Sequence, residues 1–140
     1  MKETVCTAIG LIGSLVTSLI GGWDVPMKAL VICMIIDYIS GLMVAGIFHK
    51  SKKSDNGALN SSIGMKGLCK KCMVLFWVIV MAQVGKVTNM EYLRNAVIIG
   101  FIANEFISIA ENSKLMGIPL PKPIFNAIDV LTERSERNEN

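Results

Sequence analysis

The sequence is poor in charge and in the side chains that do chemistry. Only 18% of its 140 residues are Asp, Glu, Lys or Arg, against about 25% in a soluble domain. It holds one histidine, His49, and four cysteines. No nucleophile stands with a base beside it, no glycine-rich phosphate loop occurs, and no Cys/His/carboxylate set has metal-ligand spacing. Cys69-Lys70-Lys71-Cys72 is formally C-x-x-C. A zinc ribbon needs a second such pair or histidines, whereas Cys6 and Cys33 lie in apolar runs, and a redox motif needs a thioredoxin-like βαβ pattern that is missing. No enzyme, cofactor or metal site is expected. The net charge of +3 does not point to nucleic acid. No A-x-A-like site follows the first apolar run, and the next residues are apolar again, so a cleaved secretory signal is not expected.

Apolar residues fill the space that charge leaves. They make up 52% of the chain, and the mean hydropathy is +0.53. They gather at residues 5–22, 27–48, 68–84 and 93–110. The second stretch is about 33 Å long as a helix, enough to cross the hydrocarbon of a bilayer. The pattern predicts an all-α integral membrane protein, with three or four transmembrane helices in residues 1–112 and a short cytoplasmic tail in 113–140. The first stretch is open to two readings. Val5 to Gly22 has no charge, but glycine and threonine dilute it, so it either spans a thin bilayer or lies on its surface. Gly10, Ser14, Thr17, Ser18 and Gly21 share a small-residue face that lets helices approach. Trp23, in the break that follows, fits an interfacial anchor.

The few polar residues inside these stretches fall on seams. From Phe101 to Asn112 the chain reads F-I-A-N-E-F-I-S-I-A-E-N. At about 100° per residue, Asn104, Glu105, Ser108, Glu111 and Asn112 form one stripe roughly 120° wide. In the second stretch Asp37, Ser40 and Gly41 share a face, and Leu42 falls on the side expected to meet lipid. A carboxylate at the bilayer centre costs on the order of 3 kcal/mol, so Asp37 and Glu105 should face protein or water. Together these side chains are the candidate seam for oligomerisation. Asp37 keeps two readings, a protonated packing contact or a functional polar group. Glu105 lies within reach of Lys70 or Lys71.

Positive charge is concentrated in one place. Lys50, Lys52, Lys53 and Lys66 lie in residues 49–67, with Lys70 and Lys71 just beyond and only Asp55 opposing them. Short lysine-rich loops stay in the cytoplasm, which puts the C-terminus there too, two crossings later. No aromatic residues interleave with the lysines, so topology explains them better than nucleic acid does. His49 reads as interfacial. Asn60-Ser61-Ser62 matches a glycosylation sequon, which means nothing in a cytoplasmic loop. Beyond Asn112, Pro119, Pro121 and Pro123 are expected to prevent a regular helix. Ile124, Phe125, Ile128 and Leu131 then share a face of a short amphipathic stretch, and Glu133 to Asn140 form a mixed-charge end.

In order along the chain, G-G-W-D at Gly21–Asp24, D-Y-I-S-G at Asp37–Gly41, S-x-x-G-x-x-G at Ser61–Gly67, N-E-x-x-S-I-x-E-N at Asn104–Asn112 and G-x-P-x-P at Gly117–Pro121 resemble the toxin-secretion and phage-lysis holins of bacteria. The resemblance covers roughly residues 20–125. It implies a multi-pass protein of the bacterial cytoplasmic membrane that is not an enzyme. Such a protein accumulates harmlessly, then forms a homo-oligomer that opens large lesions. Its functional partner would be an endolysin or a large toxin, with no direct contact needed. The competing class is a small proton-coupled transporter or ion channel using Asp37 and Glu105. Against it, no internal repeat and no discontinuous helix pair is apparent. A passive membrane adaptor, holding another protein through residues 113–140, is a third class.

Overall fold

The structure, a computed structural model, describes residues 1–137. Five helices follow one another: α1 (Lys2–Leu19), α2 (Val25–Gly46), α3 (Ser61–Thr88), α4 (Tyr92–Leu115) and α5 (Lys122–Arg137). No strand occurs among the described residues. The helices α2, α3 and α4 are long and apolar enough to cross a membrane, so the protein is of the all-helical membrane class. The last three residues of the expected mixed-charge end, 138–140, lie outside the described residues.

Helix boundaries follow caps more closely than hydropathy. α2 opens at Asp24, whose carboxylate accepts the Met27 N–H at 3.2 Å. Pro26 occupies its first turn, where a missing N–H breaks no bond. α3 opens at Ser61, ahead of the apolar run at 68–84, because the Asn60 side chain accepts the Ser62 N–H at 2.9 Å. There the polar residues of the loop become helical, and α3 passes the Tyr38 ring at Gly64 and Gly67. α3 ends at Asn89, left-handed at φ 56°, with the Met90 N–H on the Gly85 carbonyl at 2.9 Å. A Cβ on Gly85 would stand 2.9 Å from the Met90 oxygen, so glycine permits this tight turn into α4. α4 continues past residue 110 to Leu115. It ends in a Schellman turn, the N–H groups of Gly117 and Ile118 reaching the Lys114 and Ser113 carbonyls at 3.0 Å. Pro119 and Pro121 hold an irregular connection, but Pro123 sits in the first turn of α5, which therefore forms a regular helix.

α4 is the central element. It packs against α2, α3 and α5, whereas α2 and α3 meet only sparingly. Met27, Leu30 and Met34 of α2, Val78 of α3, Ile98 of α4 and Ile20 form the apolar core, in the half of the bundle remote from the lysine-rich loop. α5 folds back on α4, where the Lys114 ammonium lies 5.2 Å from the centre of the Phe125 ring. α1 stands apart, with no buried residue and its only helix contact on α3. Ile32, Ile35, Ile36 and Ile39 of α2 and Phe76, Trp77 and Val80 of α3 are exposed. In water such a surface would be a liability, but lipid tails meet it without penalty.

Candidate functional site

Three membrane-crossing helices meet at one cation. The Lys71 ammonium of α3 lies 2.8 Å from Oδ2 of Asp37 in α2 and 2.5 Å from Oε2 of Glu105 in α4. Asn112, two turns along α4 from Glu105, donates from Nδ2 to Ser40 Oγ at 2.8 Å and to Asp37 Oδ1 at 3.3 Å. Ser40 in turn donates to the Asp37 carbonyl at 3.0 Å. Asp37, Ser40, Glu105 and Asn112 are all buried. The periodicity places them together because Asp37 and Ser40 are three residues apart, and Glu105 and Asn112 seven apart, so each pair shares a helix face. A bridge of this kind satisfies its charges mutually. Removing one member of a buried ion pair typically costs about 3–5 kcal/mol, because the other is left uncompensated.

The remaining candidates divide. Gly41 lies next to Asn112 and Ser108 is half-buried, while Asn104 and Glu111 are exposed. Lys50, Lys52, Lys53, Lys66 and Lys70 are exposed. Lys71, expected both to set topology and to lie within reach of Glu105, has its side chain turned inward with 13% exposed. Leu42 does not face lipid: it lines a cleft bounded by α2, α3, α4 and the loop between α2 and α3. That cleft has a volume of about 690 Å³, and Asp37, Lys71 and Glu105 lie along it.

A second polar centre escaped the sequence reading. Arg94, buried in the first turn of α4, reaches Asp24 through both terminal nitrogens, at 2.8 and 3.0 Å. It also donates to the Gly22 carbonyl at 2.9 Å, to Asn95 Oδ1 at 3.0 Å and, through Nε, to the Ile20 carbonyl. Gln83 adds a bond to the Leu19 carbonyl at 2.9 Å. Gln83 of α3 thereby caps the last carbonyl of α1, and Arg94 of α4 holds the turn that follows it. Gly21, at φ 80°, passes so close to Arg94 that a Cβ would lie 2.8 Å from its Cδ. The Arg94 hydrogen bond holds the Asp24 carboxyl below its ordinary pKa, helped by the Met27 N–H and opposed by partial burial. The signal was in the sequence: Asp24 opens one crossing and Arg94 opens another two crossings later, which puts them on one side of the membrane.

A small bundle with three membrane-capable helices, clasped by a lysine in its middle and an arginine at one end, defines a polytopic α-helical membrane protein. The chain belongs to the bacteriophage holin family, whose model matches residues 14–133. That range includes both polar centres and omits most of α1. The family is not an enzyme family. The chain is 34% identical over 128 residues to an uncharacterised protein of Listeria monocytogenes, covering 91% of this chain and 86% of the relative. It is 32% identical over 138 residues to an uncharacterised protein of Halalkalibacterium halodurans, covering 94% and 96%. It is 29% identical over 135 residues to an uncharacterised protein of Clostridium perfringens, covering 94% of each. No solved structure matches the chain.

Proposed function

We propose that the chain is a holin: it accumulates in the bacterial cytoplasmic membrane, assembles with copies of itself and opens lesions through which an endolysin or a large toxin escapes. The family match over residues 14–133 carries this reading. The packing suggests how a subunit would serve both states. In the closed subunit Asp37, Lys71 and Glu105 satisfy one another while apolar side chains meet lipid. An open lesion needs polar groups turned towards water. The sparse contact between α2 and α3 makes that the weak seam, and parting it would bare the bridge. Three crossing helices cannot enclose a hole for a folded enzyme, so the lesion is an oligomer. Asn104 and Glu111, exposed on α4, are polar groups that the opened subunit would offer to a neighbour or to water. The lysine-rich loop and the C-terminus would lie in the cytoplasm.

The test is inducible expression in bacteria, with and without a muralytic enzyme that lacks a signal peptide. Growth should stop abruptly and the membrane should depolarise in both cultures, and only the culture with the enzyme should lyse. Lysis of cells lacking every wall hydrolase would end this reading. The ionisable bridge at mid-membrane favours one alternative, a small proton-coupled transporter or ion channel. Such a protein would dissipate the potential without releasing a co-expressed cytoplasmic enzyme.

A further inference from the structure

Two concavities flank the contact between α2 and α3, and they differ in chemistry. The smaller, about 260 Å³, lies on the lipid-facing side and is lined by Val31, Met34, Ile35, Ile39, Leu68 and Leu75, with Tyr38, Cys72 and Lys71 at its edge against α3. It suits acyl chains. The larger, about 690 Å³, lies on the α4 side and has the Lys71 bridge along its floor. Asn104 and Glu111 stand on its wall, and their side chains have no hydrogen-bond or ion-pair partner among the described residues. Lys52, Lys53, Lys66 and Lys70 stand around its mouth.

Depth makes this arrangement informative. Asn104 lies about 9 Å inside the end of the apolar run at residue 110, at ~1.5 Å per residue, and so within the membrane. A cleft filled by lipid tails would strand its amide and the open side of the bridge without partners. Water satisfies all of them. There is room for a cluster of waters, each taking about 30 Å³ of liquid volume. Past the bridge, the buried apolar side chains of Leu30, Met34, Val78 and Ile98 close the bundle.

We propose that the larger cleft is an aqueous vestibule, open to the face that carries the lysine-rich loop and closed at mid-membrane. It admits water and small hydrophilic solutes to Asp37, Lys71 and Glu105 from that face alone. It belongs to the single closed subunit and does not rest on the lysis reading, so a chain that fails to lyse cells still either has it or lacks it.

The experiment uses the full chain in liposomes, with Cys6, Cys33, Cys69 and Cys72 replaced by alanine. Single cysteines are then placed at Ser108→Cys and Asn104→Cys in the cleft and at Ile39→Cys on the lipid face at similar depth. Asp55→Cys, exposed in the loop, reports which face is reached. The probe is a charged, membrane-impermeant methanethiosulfonate. Both cleft variants should react at least tenfold faster than Ile39→Cys, and only from the face at which Asp55→Cys reacts. Asn104 makes no contact with the bridge, so its variant decides the matter if Ser108→Cys folds poorly. Rates equal to Ile39→Cys would mean a dry cleft, filled by lipid or a second copy, and would overturn the proposal. Reaction from both faces would overturn it in favour of a continuous pore.

Discussion

Arg94 and Lys71 do similar work at different depths, and the difference governs what each substitution should do. Arg94 joins a carboxylate to the Ile20 and Gly22 carbonyls in the turn after α1, a forked pattern that a lysine cannot reproduce. Arg94→Lys should therefore lower stability by about 1–3 kcal/mol, read as a lower thermal midpoint in detergent micelles. A midpoint equal to wild type would mean that water replaces those bonds at no cost. The Asp24 side chain is 44% exposed, so solvent screens its share of the clasp and the carbonyl bonds carry more. Its pKa is depressed on folding. Its contribution is therefore complete above the unfolded carboxyl's pKa and is lost as pH falls through the lower, folded value. Asp24→Asn keeps the helix cap but cannot titrate. The gap in thermal midpoint between wild type and Asp24→Asn should hold through neutrality and close only in acid, below the ordinary carboxylate range. A gap that closed nearer neutrality would assign the effect to another group.

At the scale of elements, the sequence showed the crossings and hid their ends. Apolar runs located α2, α3 and α4 because lipid demands them. Boundaries depend instead on single caps: Asn60 draws the polar residues after it into α3, and the Schellman turn at Gly117 carries α4 past its apolar part. Hydropathy is blind to both. The polar stripe on α4 was legible as periodicity, and Lys70 or Lys71 as a partner within reach of Glu105, but not which lysine turns inward nor that it also meets Asp37. A lysine at the edge of an apolar run fits snorkelling or pairing equally well. Arg94 was missed although Asp24 and Arg94 open crossings on the same side, because two of its acceptors are the Ile20 and Gly22 carbonyls, which no sequence pattern marks. Sidedness remains an expectation with a direct test. Asp55→Cys is a better reporter than Ser54, whose hydroxyl is buried, or Asn60, which caps α3. With the native cysteines replaced, it should resist an impermeant thiol reagent in intact cells before lysis. Rapid labelling would invert the topology.

For the whole molecule, the bridge sets a balance between a closed subunit and an opened one. With all three groups ionised, Asp37, Lys71 and Glu105 sum to one negative charge. A full charge moved across the membrane is worth about 2.3 kcal/mol per 100 mV, and a mid-membrane charge feels part of that. An oligomer multiplies the part by its number of subunits, so loss of the potential can tip a closed assembly towards an open one. Glu105→Gln retains shape and an oxygen for Lys71 but removes the surplus charge, and should delay lysis. Asp37→Asn also removes it, and its amide is less well matched to both Lys71 and Asn112, so lysis time should shift at equal abundance. Lys71→Met leaves two buried carboxylates facing each other. It should open the assembly early or prevent accumulation, since an uncompensated buried charge costs about 3–5 kcal/mol. The control must touch lipid alone. Leu42, which lines the cleft, does not qualify, whereas Ile36, 47% exposed on the outer face, does. Ile36→Leu should lyse on the wild-type schedule. The measurement is lysis time against membrane abundance for all the variants. If Glu105→Gln and Asp37→Asn keep the wild-type time at equal abundance, the bridge only packs the helices, and the charge balance does not set the timing.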